Sequence, residues 1–398
     1  MSETNGGKQA AKPAAQKRQP LTGARSLSGM QTSRTPEYLV IGHICGDIHS
    51  NGKVVLGGTA LYSALTAARL GWRTAVLTRG VFGREVAGHE IPSLEEYAEE
   101  LQIIVQDADT TTMFVNEYTG GRRTQKLSQW AGQIDLRGLP PHWRNARIIH
   151  LGPIAQEIDP KQTGALTPYF LGATPQGWMR DWPKPGGGKV THNHLRLPKE
   201  LVSRLDSIIV SQEEIALCRD TVEAVGAHRL GVITMGQDGA KVIYGGQRAS
   251  VPAFKVDVAD HTGAGDTFAA SFFIGATDRS ISAVRAARFA SAVSGMSLRE
   301  IGMHSIPSRA EVDEFMRTAD VAPIVRDMRH DVVEKLVWRH MPEKAYPEQW
   351  NTPELMIEAE EIFGFASPVD QWAAEEGIAQ AEIIERLTRA VDQAYAQK

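Results

Sequence analysis

Tyr38-Leu39-Val40-Ile41-Gly42 is a short apolar run that stops on glycine, the pattern of a strand buried on both faces. Beyond it, Leu61, Ala64, Leu65 and Ala68 recur at helical spacing, and Gly71 ends that helix. Thr74-Ala75-Val76-Leu77-Thr78 then reads as another strand. The alternation returns at Ile148-Ile149-His150-Leu151-Gly152, at Ser207-Ile208-Ile209-Val210-Ser211 and at Gly231-Val232-Ile233-Thr234-Met235-Gly236. Buried strands alternating with helices predict a doubly wound α/β fold with a mainly parallel sheet. Ligands in such sheets bind beyond the carboxyl ends of the strands, where several of these runs end in Gly, Ser or Thr.

Outside this core the composition shifts twice. Residues 1–35 carry almost no large apolar side chains, so the segment cannot offset its ordering entropy and is expected to be a disordered tail. Toward the other end, Val325, Met328, Val332 and Leu336 form one helical stripe, and Ile384, Leu387 and Val391 belong to another. Pro342, Pro347, Pro353 and Pro368 punctuate that region. It reads as a helical appendage with no strand-like run.

The bulk numbers narrow the functional classes. With 43 basic against 47 acidic residues the net charge is −4, which offers no footprint for nucleic acid or an anionic membrane. No apolar run approaches the ~18–20 residues that span a bilayer. Cys45 and Cys218 stand far apart with no CxxC neighbour, against a disulfide framework or structural zinc. A cytoplasmic protein is expected.

The chemistry concentrates in Asp260-His261-Thr262-Gly263-Ala264-Gly265-Asp266-Thr267-Phe268. Gly263, Ala264 and Gly265 have little side-chain bulk, so their backbone N–H groups can converge on one oxygen as an anion hole. The apolar segment after Asp266 is readily helical, and a helix starting here points its positive end at the loop. Asp266 beside such a site can take the proton of a hydroxyl that attacks a phosphate. The plainer reading makes Asp266 a helix N-cap and the glycines a tight turn.

Asp260 to Asp266 resembles the C-terminal signature of the pfkB family of carbohydrate kinases, the ribokinase type. Leu56-Gly57-Gly58-Thr59 with the following helix is similar to that family's N-terminal signature, and Gly42 through Asp47 to its first strand. Ile233 through Gly239 resembles its phosphate-contacting turn, and Ser211-Gln212-Glu213-Glu214 stands at its Asn-x-x-Glu. The resemblance covers roughly residues 36–310. It implies a ribokinase-like domain over 36–318 with a small β lid, built from segments near 47–57 and 109–128. It further implies Asp266 as catalytic base and Asp47, Gly57, Gly58 and Thr59 around the acceptor. Ser211, Thr234, Gly236, Gly239, Thr262 and Ser291 fall at the ATP positions, and Glu214 at the position that holds Mg²⁺ through water. The partner is a small hydroxylated molecule, and a homodimer is compatible with this reading.

Thr59, Ser63, Ser211 and Ser291 depart from the family, each standing where it commonly has asparagine. Gly42 through Asp47 with Leu56-Gly57-Gly58 is also similar to plant-type myo-inositol kinases, which brings a cyclic polyol beside sugars and nucleosides as acceptor. Asn116 through Arg123, and Gln176 with Arg180, are further candidates for the acceptor pocket, or else a lid strand and a surface turn. Pro185-Gly186-Gly187-Gly188-Lys189 lacks the Ser/Thr of a Walker loop, since Val190 follows it. His192 and His194 have no acidic or thiolate companion and are read as solvated.

The segment 319–398 has its own resemblance. Arg326 through His330, Pro342 through Trp350 and Trp372 through Gly377 are similar to the helical scaffold and wing region of SecA, the preprotein-translocation motor. The motor's nucleotide motifs are missing, so the segment implies docking at most, or an inert appendage. The alternative function for the whole chain is a non-catalytic nucleotide or metabolite sensor that uses this tail to bind a protein.

Overall fold

The computed structural model describes residues 24–26, 34–119, 122–184, 187–278, 280–319 and 325–326. The apolar runs form one large sheet. In chain order its strands and those of a smaller sheet are β1 (Ala24–Ser26), β2 (Tyr38–Ile41), β3 (Cys45–Ile48), β4 (Val54–Gly57), β5 (Thr74–Arg79), β6 (Leu101–Gln106), β7 (Met113–Thr119) and β8 (Arg122–Gln129). They continue with β9 (Ile148–Leu151), β10 (Phe170–Ala173), β11 (Gly188–Lys189), β12 (Ser207–Ser211), β13 (Leu230–Thr234), β14 (Ala240–Tyr244), β15 (Gln247–Val251) and β16 (Val325–Arg326). The 11-stranded sheet runs β1-β6-β5-β2-β9-β10-β12-β13-β14-β15-β16. Every pairing from β6 to β13 is parallel, and the outer pairings are antiparallel.

From the central strand β2 the chain first winds outward to β5 and β6, then returns to β9 on the other side. The crevice beyond β2 and β9 is therefore the topological switch point. Side chains alternate across the sheet: Tyr38 and Val40 enter one core cluster with Phe272 and Phe273, while Leu39 and Ile41 enter another with Trp143. Helices cover both faces. On the first face lie α1 (Thr59–Arg69), α3 (Ala264–Ala276) and α4 (Ala283–Ser297); α2 (Ile215–His228) packs on the second, and α5 (Arg309–Thr318) against α4. Phe268, Phe272, Phe273 and Ile274 make α3 apolar around much of its circumference, as a helix sandwiched between sheet and helices requires. Phe273 comes so close to β10 that a Cβ on Gly172 would lie 2.5 Å from its ring.

The five-stranded smaller sheet has the order β11-β8-β7-β3-β4, with β3 and β7 parallel. It grows from the switch point, because β3 follows β2 after three residues. Its strands fall in the two segments expected to form a lid, and Gly188–Lys189 of the false Walker loop adds an edge strand.

Two short strands depart from the sequence reading. Ala24–Ser26, inside the stretch expected to be disordered, pairs with Gln106–Ile104 of β6. Val325–Arg326, in the region expected to lack strands, pairs with Ala249–Ser250 of β15. Both take up the open backbone edge of a long sheet, and edge pairing asks little of side-chain hydrophobicity. The rest of the proposed helical appendage lies outside the described residues. No described helix is long and apolar enough to cross a membrane.

Candidate active site

Asp266 stands in the first turn of α3, whose N-cap is Gly263. The plainer reading of Asp266 as N-cap is thereby replaced. No side chain caps this helix, so its positive end faces the loop. Gly263 has φ +80°, and a Cβ there would meet the Tyr62 ring at 2.2 Å, so glycine is required both by conformation and by space. Ser63 Oγ donates to the Asp266 carbonyl at 3.1 Å, which ties α1 to the first turn of α3. Burial pushes the Asp266 carboxyl up to about 6, against a hydrogen bond from Thr59 and the charge of Arg180, and Glu214 adds a smaller upward push.

The glycine pair opens α1 beside it. Gly58, at φ +92°, is the N-cap, and its α-hydrogen faces the His43 carbonyl and Cys45 Sγ, where a Cβ would sit at 2.8 and 3.2 Å. A Cβ on Gly57 would lie 2.8 Å from Asp47 Oδ2, so the Asp47 carboxylate rests against bare backbone. Burial above all drives the Tyr62 phenol pKa upward, and the charges of Asp260, Asp266 and Asp47 add to it. Cys45 is a buried free thiol, also pushed up by burial. Thr59 is thus a hydrogen-bonding partner of Asp266, a role the sequence did not suggest.

On the other side of Asp266, β12 ends at Ser211, opposite Thr234 in register. Ser211 donates through both its N–H (2.9 Å) and its hydroxyl (3.0 Å) to Glu214 Oε2, fixing that carboxylate at the entrance of α2. Gly236 and Gly239 take positive φ in the next turn, and a Cβ on Gly239 would fall 2.0 Å from the Val251 carbonyl oxygen. Two predicted ligands are differently engaged. Ser291 is buried and its hydroxyl donates to the Pro252 carbonyl at 3.3 Å. The Thr262 hydroxyl donates to Asp260 Oδ1 at 2.7 Å, bracing the loop. His192 and His194 are exposed, and no metal-competent cluster of His, Cys, Asp or Glu occurs among the described residues.

A further carboxylate at this edge carries no sequence signal. Glu157 is fully buried and accepts N–H bonds from His43 (2.9 Å), Ile154 (2.9 Å) and Ala155 (2.7 Å). It pins the loop after β9 to the junction between the two sheets.

Residues 199–309 match the model of the pfkB family of carbohydrate kinases. A pyrophosphate-dependent kinase in the ribokinase family, in its sulfate complex, superposes with a TM-score of 0.57 at 21% identity, over 70% of this chain and 99% of that one. The fold is ribokinase-like. A pyrophosphate-dependent kinase of the ribokinase family complexed with a pyrophosphate analog and myo-inositol gives 0.54 at 23% identity, covering 70% and 99% of the two chains. Ribokinase from Thermotoga maritima gives 0.51 at 18%, covering 71% and 100%. The family match supports a carbohydrate kinase, and these neighbours support the fold.

A second similarity is short. SecA of Caulobacter vibrioides is 47% identical over 85 residues, 21% of this chain and 9% of SecA. SecA of Acidiphilium cryptum is 44% identical over 89 residues, 22% and 10% of the two chains. The chain spans about a tenth of the length of these curated relatives.

Proposed function

We propose that this ribokinase-like chain transfers the γ-phosphoryl group of ATP to a hydroxyl of a sugar or polyol, with Asp266 as general base. The observation that carries the reading is a half-buried carboxyl, held near 6, at the uncapped start of α3 and in contact with Thr59. A base with a pKa just below neutrality is ionised at working pH and still keeps useful basicity.

In the proposed step the acceptor oxygen bonds to the γ-phosphorus while its proton passes to Asp266. The bond from that phosphorus to the β–γ bridging oxygen breaks, and ADP leaves. Backbone N–H groups of the Gly263–Gly265 loop and the end of the α3 dipole receive the charge on the transferring phosphoryl oxygens. Asp47 and the bare backbone at Gly57 and Gly58 hold the acceptor's other hydroxyls.

Magnesium fits the donor side: Ser211 orients Glu214 through one oxygen, and the other is bonded by none of the described residues. Bound there through water, the ion supplies neutralisation of the phosphate charge. The smaller sheet covers the cleft and excludes water from the reaction.

The test is product mass after incubation with Mg²⁺, ATP and a panel of sugars, polyols including myo-inositol, and nucleosides. An acceptor-dependent gain of one phosphoryl mass, lost in Asp266→Asn, is the expected result. Absence of any phosphorylated product across the panel defeats the reading. Because two of the similar structures are pyrophosphate-dependent kinases, a parallel arm replaces ATP by pyrophosphate. Product in that arm alone retains the acceptor chemistry and changes the donor.

A further inference from the structure

Arg180 ends a single helical turn, Gln176–Met179, that follows β10 at the carboxyl edge of the sheet. Its guanidinium lies over the Phe114 ring, 5.3 Å from the centroid, and donates to the Ile154 carbonyl at 3.0 Å. Phe114 is the register partner of Asp47 in the smaller sheet, so Arg180 stands against the sheet face that carries Asp47. Asp266 and Cys45 both feel its charge. Arg180 thus adjoins a cleft whose other sides are Asp47 with Gly57, and Asp266.

Its mounting is elaborate for a surface turn. Gly177 N–H donates to the Pro153 carbonyl at 2.8 Å, and a Cβ on Gly177 would lie 2.4 Å from Ile154 N. Gln156, at φ +57°, donates its side-chain amide to the Arg180 carbonyl and accepts from Lys184 at 2.7 Å. A non-glycine residue in that backbone region persists only where the surroundings impose it. Glu157 in turn fixes the loop that supplies Ile154 and Gln156.

We propose that Arg180 is a specificity-determining residue of the acceptor cleft, donating to oxygen atoms of the acceptor and holding its reactive hydroxyl toward Asp266. This rests on the kinase reading. A planar guanidinium pairs best with two neighbouring oxygens, as a vicinal diol or an anionic group presents. The groups acting on Asp266 are Arg180, Glu214 and the Thr59 hydroxyl; Tyr38, Tyr62 and Cys45 feel its charge in return. Removing the Arg180 charge therefore raises the pH at which the base ionises.

The experiment compares wild type, R180M and R180K as full chains, with the panel acceptor that turns over fastest. In R180M the acceptor KM rises roughly 10–100-fold, the scale of a lost charge-assisted hydrogen bond, while the ATP KM stays within about twofold. The acid limb of its kcat/KM profile moves to higher pH, and R180K recovers part of both effects. An unchanged acceptor KM overturns the proposal. So does an equal rise in both KM values with a fall in thermal midpoint, which marks a structural role. If wild type makes no product the kinase reading fails by itself, and saturation-transfer NMR with myo-inositol decides. Binding by wild type that R180M loses supports Arg180; binding retained in R180M, or absent from wild type, overturns it.

Discussion

Two carboxylates lie at the same edge of the sheet and have opposite surroundings. Glu157 is fully buried, and three backbone N–H groups converge on it from two segments of chain. Asp266 is half-buried at a helix start, takes a hydrogen bond from the Thr59 hydroxyl, and is pushed up to about 6 by burial. The saturated group holds two loops together, and the undersupplied one is left able to take a proton. At this edge burial with few donors sets Asp266 apart from Glu157, where three donors accompany burial.

The contrast breaks first, and hardest, on turnover. Asp266→Asn lowers kcat by roughly 10²–10⁴, the scale of a lost general base. In wild type, kcat/KM falls as pH drops through about 6, because the base is then protonated. A near-wild-type rate for the variant, measured by product mass, removes Asp266 from the mechanism.

Glu157→Gln is the structural counterpart. It sets an amide N–H₂ against buried N–H donors, at a cost of about 2–4 kcal/mol for the unsatisfied groups. Urea denaturation followed by circular dichroism should show the loss; an unchanged midpoint would mean that the loop holds without it.

The third effect has the opposite sign. The folded pKa of Asp266 lies above its unfolded value, so the favourable contribution is full below pH 3.8 and is lost as pH rises through about 6. Asp266→Asn should therefore stabilise the fold at pH 7.5 by about 1–3 kcal/mol, even as it slows turnover. A destabilised variant would show that the Thr59 bond outweighs burial.

The smallest effect is read away from the edge. His150, within β9, is fully buried between Tyr38 and Thr174, and burial holds its imidazole down to about 3. Its contribution is full above the unfolded pKa of 6.5 and is lost as pH falls toward 3. Between pH 7.5 and 6 that is about 0.8 kcal/mol. The stability difference between wild type and His150→Gln should shrink by that amount over the interval.

Much of this was legible because it repeats or because it needs glycine. The runs at 38–42, 74–78, 148–152, 207–211 and 231–236 became parallel strands of one sheet, with the unread strand Phe170–Ala173 between two of them, since a strand buried on both faces has to be continuously apolar. Gly57, Gly58 and Gly263 declared themselves by lacking a side chain, and each abuts another group at under 3 Å from a would-be Cβ. Glu157 gave no signal, because its partners are backbone amides and no spacing encodes them. Hydroxyl roles were equally hidden: Thr59 turned to Asp266, Thr262 to Asp260 and Ser291 to the Pro252 carbonyl. Arg180 was offered by the sequence as an acceptor-pocket candidate or a surface-turn residue, and the stitching at Gly177 and Gln156 appears only in three dimensions.

The bond from His43 to Glu157 joins residues 114 positions apart. During synthesis at about 5–20 residues per second, roughly 6–23 s separate the emergence of its two ends. Until the later end arrives, the crevice between β2 and β9 lacks one wall, and the first lid strands hang from an unfinished sheet. The donor side follows a different clock, because β12 to β15 are consecutive neighbours and can zip as they appear. Asp266 emerges only after those strands, so the ribosome delivers the proposed base to an edge whose other walls can already stand.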